Sequence, residues 1–236
     1  MGRGIIEEVD DIRSDNKPSN MALLKHLRTE FIKYNYDMKK LLRYILTSQT
    51  YHLDSIYEGD QEEKLAKLFA FYPMRRLDAE VLIDAINKVT GSTELYTSAI
   101  PEPFTFVPAN KPAVALPDGS ITSSFLEMFG KPARATGMDN ERVNKLSDTQ
   151  KRHLLNSSHI RGKIEDGSVV SQILNSKLKR QQMIDELYLT ILSRYPTIEE
   201  CAWINNYIAE SKLSERNAGL DVAWALINSD EFIFKH

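Results

Sequence analysis

The chain of 236 residues contains one cysteine, Cys201. No disulfide can therefore form within the chain, and zinc sites built from several thiolates are excluded. The sequence has no apolar run of about 18 residues and no charged-then-apolar segment at its start that would be typical of a signal peptide. It also lacks an HExxH pairing, a phosphate-binding loop, a nucleophile elbow and a dinucleotide fingerprint. These absences predict a soluble protein with no cofactor, no metal site and no membrane span, and they leave no motif that identifies a reaction.

Period-2 alternation of apolar and polar residues is not convincing anywhere, whereas helical spacing recurs along the chain. Two pairs of residues also have the spacing of capping boxes, Ser147 with Gln150 and Thr197 with Glu200. We therefore predict an all-α fold, an irregular multi-helix bundle with little or no sheet. Its clearest apolar stripes are Leu24, Leu27, Phe31 and Tyr34; Met38, Leu41, Leu42 and Ile45; Ala79, Leu82, Ile83 and Ile86; Ile184, Leu187, Tyr188, Ile191 and Leu192.

Residues 97–122 interrupt this helical pattern with five prolines. Proline fixes one backbone angle and removes an amide donor, so this segment is predicted to be an extended crossover loop. The sequence then divides into an N-terminal helical subdomain (1–96), a proline-rich and basic crossover (97–146) and a C-terminal helical subdomain (147–236). We expect these parts to form one compact domain.

The net charge of −3 gives the chain no overall attraction for nucleic acid, so no nucleic-acid partner is expected. It conceals an asymmetry, however. Residues 131–163 hold eight Lys and Arg against three Asp and Glu, whereas residues 184–236 hold four against nine. Two solvated faces of opposite sign that pack together would explain this pattern, and polyanion binding through 131–163 is the alternative.

The segment from Tyr72 to Gly91 contains the strongest candidate site, because two adjacent arginines run directly into an amphipathic helix. Arg75 and Arg76 near the positive end of a helix dipole could bind a small anion such as phosphate, sulfate or a carboxylate. In the alternative interpretation, one arginine pairs with a carboxylate such as Asp78, Glu80 or Asp84 and fixes how this helix docks. We expect one arginine to be largely buried against such a carboxylate and the other to face a cleft where an anion could bind. If the chain is an enzyme, we expect a hydrolase acting on an ester, lactone, glycosidic or sulfated substrate. Its candidate site residues are Arg75, Arg76, Asp78, Glu80 and His52.

Other polar pairs have less specific spacing. Glu80 and Asp84 lie one helical turn apart and could form an acid–base pair, but Lys88 continues the stripe, so a solvated charged face is expected. The five histidines are scattered, and His153 and His159 do not share a helical face. Cys201 falls on an apolar stripe, which predicts a buried and inert thiol.

Seven segments, in order along nearly the whole chain, resemble a domain of unknown function from large exported proteins of planctomycetes, which often carry a planctomycete-type cytochrome c domain. The segments are GRGIIEEVDDIRSDNKPSN (2–20), LLRYILTSQTYHLDS (41–55), YPMRRLDAEVLIDAINKVTG (72–91), FLEMFGKPAR (125–134), LLNSSHIRGKI (154–164), ELYLTILSRYPTIEE (186–200) and DVAWALINSDEFIFKH (221–236). The resemblance implies a helical accessory or interaction module of an exported, periplasmic or surface protein, with no established activity.

The sequence departs from the family pattern in two places. The family domain begins with a further helix before its GRG segment, so the resemblance implies that this chain is truncated there. Residues around Ile5, Ile6 and Val9 would then cover an apolar groove, through which the chain is expected to form a homodimer or bind a protein partner. The family also has a cysteine-containing turn where this chain has residues 135–138, without cysteine.

Overall fold

Helices dominate the computed structural model, which is 56% helical, and the residues it describes contain one two-stranded sheet. The prediction of an all-α fold is confirmed. The structure describes residues 2–7, 11, 13–55, 57, 59–100, 105–108, 110–117, 119–132, 142 and 146–235. Val9 and residues 135–138, which entered the sequence predictions, lie outside this part of the chain.

The chain divides into two compact units, the first ending at Arg75 and the second running from Arg76 to Lys235. The division 1–96, 97–146 and 147–236 stays a prediction from the sequence. The first unit contains α1 (Met21–Lys33), α2 (Met38–Leu46) and α3 (Glu62–Lys67).

Helices α1 and α2 pack against each other as the short connection between them predicts. The Asn20 side chain caps α1 by accepting from the amide of Leu23, and Asp37 caps α2. Between the helices, Asn35 and Tyr36 have positive φ angles of 52° and 61°, a conformation that ends the first helix and reverses the chain.

The second unit begins with a strand and a long buried helix. Its first elements are β1 (Arg75–Arg76, the first residue belonging to the preceding unit), α4 (Ala79–Thr90), a 3-10 turn (Ala113–Ala115) and α5 (Ser124–Met128). Gly91 ends α4 with a left-handed φ of 73°, as the sequence predicts. Asp78 occupies the N-cap position of α4, and its side chain makes no capping hydrogen bond there.

The C-terminal part of the second unit is a succession of short-linked helices. They are α6 (Asp148–Asn156), α7 (Ser158–Asp166), α8 (Ser168–Asn175), α9 (Arg180–Leu192), α10 (Ile198–Glu210), α11 (Glu215–Ile227) and α12 (Asp230–Ile233), followed by β2 (Phe234–Lys235), which pairs with β1. Both predicted capping boxes are present, at the starts of α6 and α10. Helix α7 was not predicted.

The core of the second unit forms around α4, α9 and α11. Leu82, Ile83 and Ile86 of α4 are fully buried, as predicted for its apolar stripe, and Ile184 and Leu187 of α9 are equally buried. Burying each such side chain contributes about 1.5–3 kcal/mol. In the described part of the chain, no helix has the length and apolar character needed to cross a membrane.

Candidate functional site

The two adjacent arginines have different environments. Arg75 is half-buried and donates from Nη1 to the carbonyl oxygen of Gly2 at 2.9 Å within the first unit. Arg76 has no exposed surface. Its guanidinium donates to the carbonyl oxygens of Leu77 at 2.8 Å and Phe129 at 2.6 Å, and it lies 5.2 Å from the centre of the Phe129 ring. The two arginines thus have distinct structural roles, with Arg76 linking the start of α4 to the end of α5.

Burial lowers the pKa of Arg76, although the charges of Asp78 and Glu80 oppose this shift. Each of these carboxylates also has another cationic partner. Asp78 lies 3.3 Å from Nζ of Lys235, and Glu80 forms a two-pronged ion pair with Arg142 at 2.8 and 3.0 Å. Glu80 is buried, so the expectation of a solvated charged face is wrong for this residue. The Glu80 carboxylate therefore pairs with an arginine of the protein instead of facing solvent.

Asp84 caps the 3-10 turn of the crossover segment. Its carboxylate accepts from the amides of Ala113 at 2.7 Å and Val114 at 3.0 Å. It therefore holds this turn against α4. The sequence analysis considered Asp84 as a possible acid–base partner of Glu80, whereas these hydrogen bonds give it a structural role.

The proposed hydrolase residues are divided between the two units, His52 and Arg75 in the first and Arg76, Asp78 and Glu80 in the second. His52 is exposed. The contacts described for the charged members are those of structural residues, and the hydrolase remains a hypothesis from the sequence.

A different group of ionisable side chains does come together. Nε2 of His153 lies 3.3 Å from Nδ1 of His159, whose Nε2 lies 2.8 Å from a Glu94 oxygen. The same oxygen is 2.8 Å from Nζ of Lys163, which also donates to Asn87 Oδ1 at 2.8 Å. The result is a continuous network of side chains from the end of α6, through α7, to the segment after α4.

This network is largely enclosed. Glu94 and Lys163 are both buried, and the two histidine rings pack against Phe125 at centroid distances of 5.9 Å. Burial alone would raise the pKa of Glu94, but the hydrogen bonds and charges of His159 and Lys163 outweigh it and lower this pKa. Burial lowers the pKa of His153, and the neighbouring His159 lowers it further against an opposing effect of Glu94.

The sequence analysis missed this network because it judged His153 and His159 only by whether they share a helical face, and it predicted no helix at His159. They belong to two helices joined by Ser157 alone, which ends α6 and caps the start of α7 by accepting from the amide of Ile160. A serine followed by the stripe Ile160, Lys163 and Ile164 is the signal that could have revealed α7.

The basic stretch 131–163 also contains residues with internal partners. Lys131 donates to the carbonyl oxygens of Gly119 and Ile121. Arg161 pairs with Glu165 at 2.6 Å, and Arg142 and Lys163 pair as described above. Polyanion binding, which would need these cations at the surface, stays a hypothesis.

An apolar groove lies between α10 and α11, with a volume of about 520 Å³. The chain has two tryptophans, and both line this groove. Trp203 is 68% exposed and Tyr207 41% exposed, while α10 buries only Ile208. The remaining lining residues are Tyr188, Ile204, Asp221, Val222, Ala225 and Leu226.

Polar contacts hold the aromatic side chains around the groove in place. The Tyr207 hydroxyl donates to Asp221 at 2.6 Å, and Trp224 Nε1 donates to the carbonyl oxygen of Leu155 at 3.2 Å. The Arg194 guanidinium lies 5.4 Å from the centre of the Tyr188 ring. Burial raises the pKa of Tyr188 to about 12. The groove is therefore a pre-formed aromatic surface with one carboxylate at its edge.

Metal binding and thiol chemistry have no candidate site among the described residues. Among them, no group of three or more His, Cys, Asp and Glu side chains has a geometry that could hold a metal ion. Cys201 is half-buried rather than buried, and its sulfur lies 3.3 Å from Gln181 Nε2.

The fold and these surfaces define a mainly helical domain of two units. The chain belongs to the family PSD1, described as a protein of unknown function (DUF1553), whose family model matches residues 1–208. The match confirms the resemblance on which the sequence analysis relied. Neither the comparison with curated proteins nor that with solved structures found a match.

Proposed function

We propose that this chain is a helical protein-interaction module whose binding surface is the groove between α10 and α11. The observation that carries the proposal is the position of the two tryptophans, one of them 68% exposed, in a single apolar groove. Tryptophan and tyrosine dominate the binding energy of protein interfaces, and a contiguous exposed apolar surface is uncommon on a protein without a partner.

The groove favours an amphipathic helix that carries basic residues beside its apolar side chains. Its apolar lining suits the aliphatic face of a helix in a groove. Asp221 lies at its edge, and the surrounding residues 184–236 contain nine acidic side chains against four basic ones. A basic partner would therefore be attracted to this face and an acidic one repelled.

Helix α2 has this composition, and we propose α2 of a second copy as the occupant. Met38, Leu42 and Leu46 recur every four residues along α2 and are 57%, 51% and 47% exposed. Lys39 and Lys40 are also exposed on this helix. Because α2 and the groove are different surfaces, the contact is heterologous, and association should continue beyond the dimer unless the rotation closes a ring.

Sedimentation velocity over a range of protein concentrations tests this proposal, with tryptophan emission as the reporter of the groove. We expect the wild-type chain to associate and its emission to shift to shorter wavelength. Trp203→Ala removes the groove's anchor and Leu42→Glu disrupts the α2 stripe, so each variant alone should be monomeric. Ile198→Ala is the control, because Ile198 is 90% exposed on α10 but does not line the groove.

A mixture of the two variants gives the sharpest result. Trp203→Ala retains an intact α2, and Leu42→Glu retains an intact groove, so an equimolar mixture should form a 1:1 dimer that cannot extend. A wild-type chain that stays monomeric at about 100 µM, a concentration at which even weak interfaces are populated, would overturn the proposal.

The family resemblance alone supports a further part of the proposal, that the module belongs to an exported multidomain protein. Fractionation of the cells that produce the parent protein, with detection by an antibody to this domain, checks it. Recovery with cytosolic markers would contradict it.

A further inference from the structure

Two cations on α2, Lys39 and Arg43, have no ionic partner in the part of the chain that the structure describes. Both side chains are exposed, and neither forms a salt bridge or a side-chain hydrogen bond with a described residue. Lys40 differs in this respect, because its Nζ lies 3.8 Å from the Asp37 carboxylate. Lys39 and Arg43 are one helical turn apart and are therefore available together to a carboxylate of a partner.

The two cations lie along one edge of the apolar stripe Met38, Leu42 and Leu46. Each directly follows a stripe residue, and successive residues are about 100° apart around a helix, so both fall on the same side of the stripe. The opposite side carries Leu41 and Ile45, which are apolar and half-buried. The exposed face of α2 is therefore charged along one edge and apolar along the other.

The groove between α10 and α11 has a matching asymmetry. Its α10 wall carries Trp203, Ile204 and Tyr207, whereas Asp221 on the α11 wall is the charged side chain among the described lining residues. Asp221 is exposed and forms no salt bridge with a described residue. Its Oδ2 accepts the Tyr207 hydroxyl at 2.6 Å, which leaves Oδ1 available to a cation.

We infer, given the proposed function in which α2 of a second copy lies in this groove, that Asp221 pairs with Arg43 of that copy and fixes the direction of α2. With its stripe on the groove floor, α2 can lie in either of two opposite directions. Only one of them places the cationic edge against the α11 wall. Arg43 is the cation assigned because it adjoins Leu42, the central stripe residue, and because a guanidinium can donate two parallel hydrogen bonds to a carboxylate. The pair thus gives the contact a specificity that apolar packing alone does not supply.

The mixture of Trp203→Ala and Leu42→Glu chains provides a defined 1:1 dimer for the test, because the first supplies α2 and the second supplies the groove. Sedimentation equilibrium measures its Kd. Asp221→Arg in the groove chain, or Arg43→Asp in the α2 chain, should weaken this dimer about tenfold or more, since each replaces a charge-assisted hydrogen bond by a like-charge contact. The two reversals together re-form the pair with exchanged charges, so that dimer should be at least about threefold tighter than with either reversal alone.

Two control variants separate the ion pair from other effects. Tyr207→Phe in the groove chain removes the hydroxyl that Asp221 accepts but keeps the ring, and the Kd should stay unchanged. Lys40→Asp in the α2 chain changes the charge as much as Arg43→Asp does, but away from the stripe. At about 0.15 M salt, screening should keep its effect below about threefold. Circular dichroism confirms the folding of each chain.

The outcomes distinguish this contact from the docking itself. A dimer whose Kd does not respond to either reversal, or a double reversal as weak as the single ones, would overturn the pairing and leave the proposed function intact. A loss with Lys39→Asp but not with Arg43→Asp would overturn the assignment to Arg43. Absence of any dimer in the starting mixture would overturn both the pairing and the proposed function.

Discussion

His159 and Glu94 are 65 residues apart in sequence, yet Nε2 of His159 lies 2.8 Å from a carboxylate oxygen of Glu94. The same oxygen lies 2.8 Å from Nζ of Lys163. One buried carboxylate therefore holds a histidine and a lysine of α7 against the segment that follows α4. The contact fixes how two helices of the second unit pack, and it makes this region sensitive to charge.

Glu94→Gln should therefore destabilise the protein strongly. Removing the carboxylate leaves the ammonium of Lys163, whose side chain is 7% exposed, without its ionic partner. An uncompensated buried charge of this kind costs about 3–5 kcal/mol. Urea unfolding measures the loss. Glu165→Gln is the matched control, because Glu165 pairs with Arg161 at the surface, where we expect a change within about 1 kcal/mol. Equal effects of the two substitutions would contradict the role given to Glu94.

The histidine pair predicts a pH dependence of stability. Since the pKa of His153 is lowered in the folded state, the unfolded chain binds more protons between the two pKa values. The contribution of neutral His153 is therefore fully present above the unfolded pKa of about 6.5, and it is lost as the pH falls through the folded pKa. The lowered pKa of Glu94 acts in the same direction at more acidic pH.

Urea unfolding between about pH 5 and 8, where histidine titrates, measures this dependence for the wild type and His153→Gln. We expect the free energy of unfolding to rise with pH in the wild type and to rise less in the variant. His52→Gln, at an exposed histidine, is the control. A wild-type stability that falls with rising pH over this range would show that the sign is wrong.

Arg75 and Arg76 should respond differently to substitution. Arg76→Met removes the donors to the carbonyl oxygens of Leu77 and Phe129 from a fully buried site. We expect a loss of about 3 kcal/mol. Arg75→Ala removes one hydrogen bond to Gly2 near the surface and should cost about 0.5–1 kcal/mol. Thermal unfolding of both variants, with and without phosphate or sulfate, also tests the hypothesis of an anion at this pair. Small and equal losses would show that the pair is a solvated surface.

Substitution of Gly167 and substitution of Gly162 by alanine should have opposite effects on stability. A Cβ at Gly167 would overlap the carbonyl oxygens of Thr90 and Lys163, where the start of α8 closely approaches the end of α4. Gly167→Ala should therefore cost about 2 kcal/mol or more, because main-chain atoms must move. At Gly162, within α7, the nearest atom to a new Cβ is 3.9 Å away. Gly162→Ala should stabilise the protein by about 0.5–1 kcal/mol through helix propensity. Denaturant titration of both variants checks the difference, and a stable Gly167→Ala variant would rule out the close approach.

The sequence determined the positions of most helices because its signals are local. The capping boxes at Ser147 and Thr197, the left-handed stop at Gly91 and the apolar stripe of α4 each depend on residues within one or two helical turns. The same local reasoning missed α7, whose cap at Ser157 directly follows another helix, and it predicted an apolar stripe on α1 whose residues Leu24, Leu27 and Phe31 are only half-buried.

Only the tertiary structure decided the partners of the charged and aromatic residues. Glu80 and Arg142 are 62 positions apart, and Trp203 and Trp224 meet at one groove although they belong to different helices. The spacing of residues along one helix specifies which face they share, but it carries no information about the face that packs against it. For that reason the sequence alone led to the adjacent arginines, whereas the network around Glu94 and the aromatic groove emerged only from the packing of distant segments.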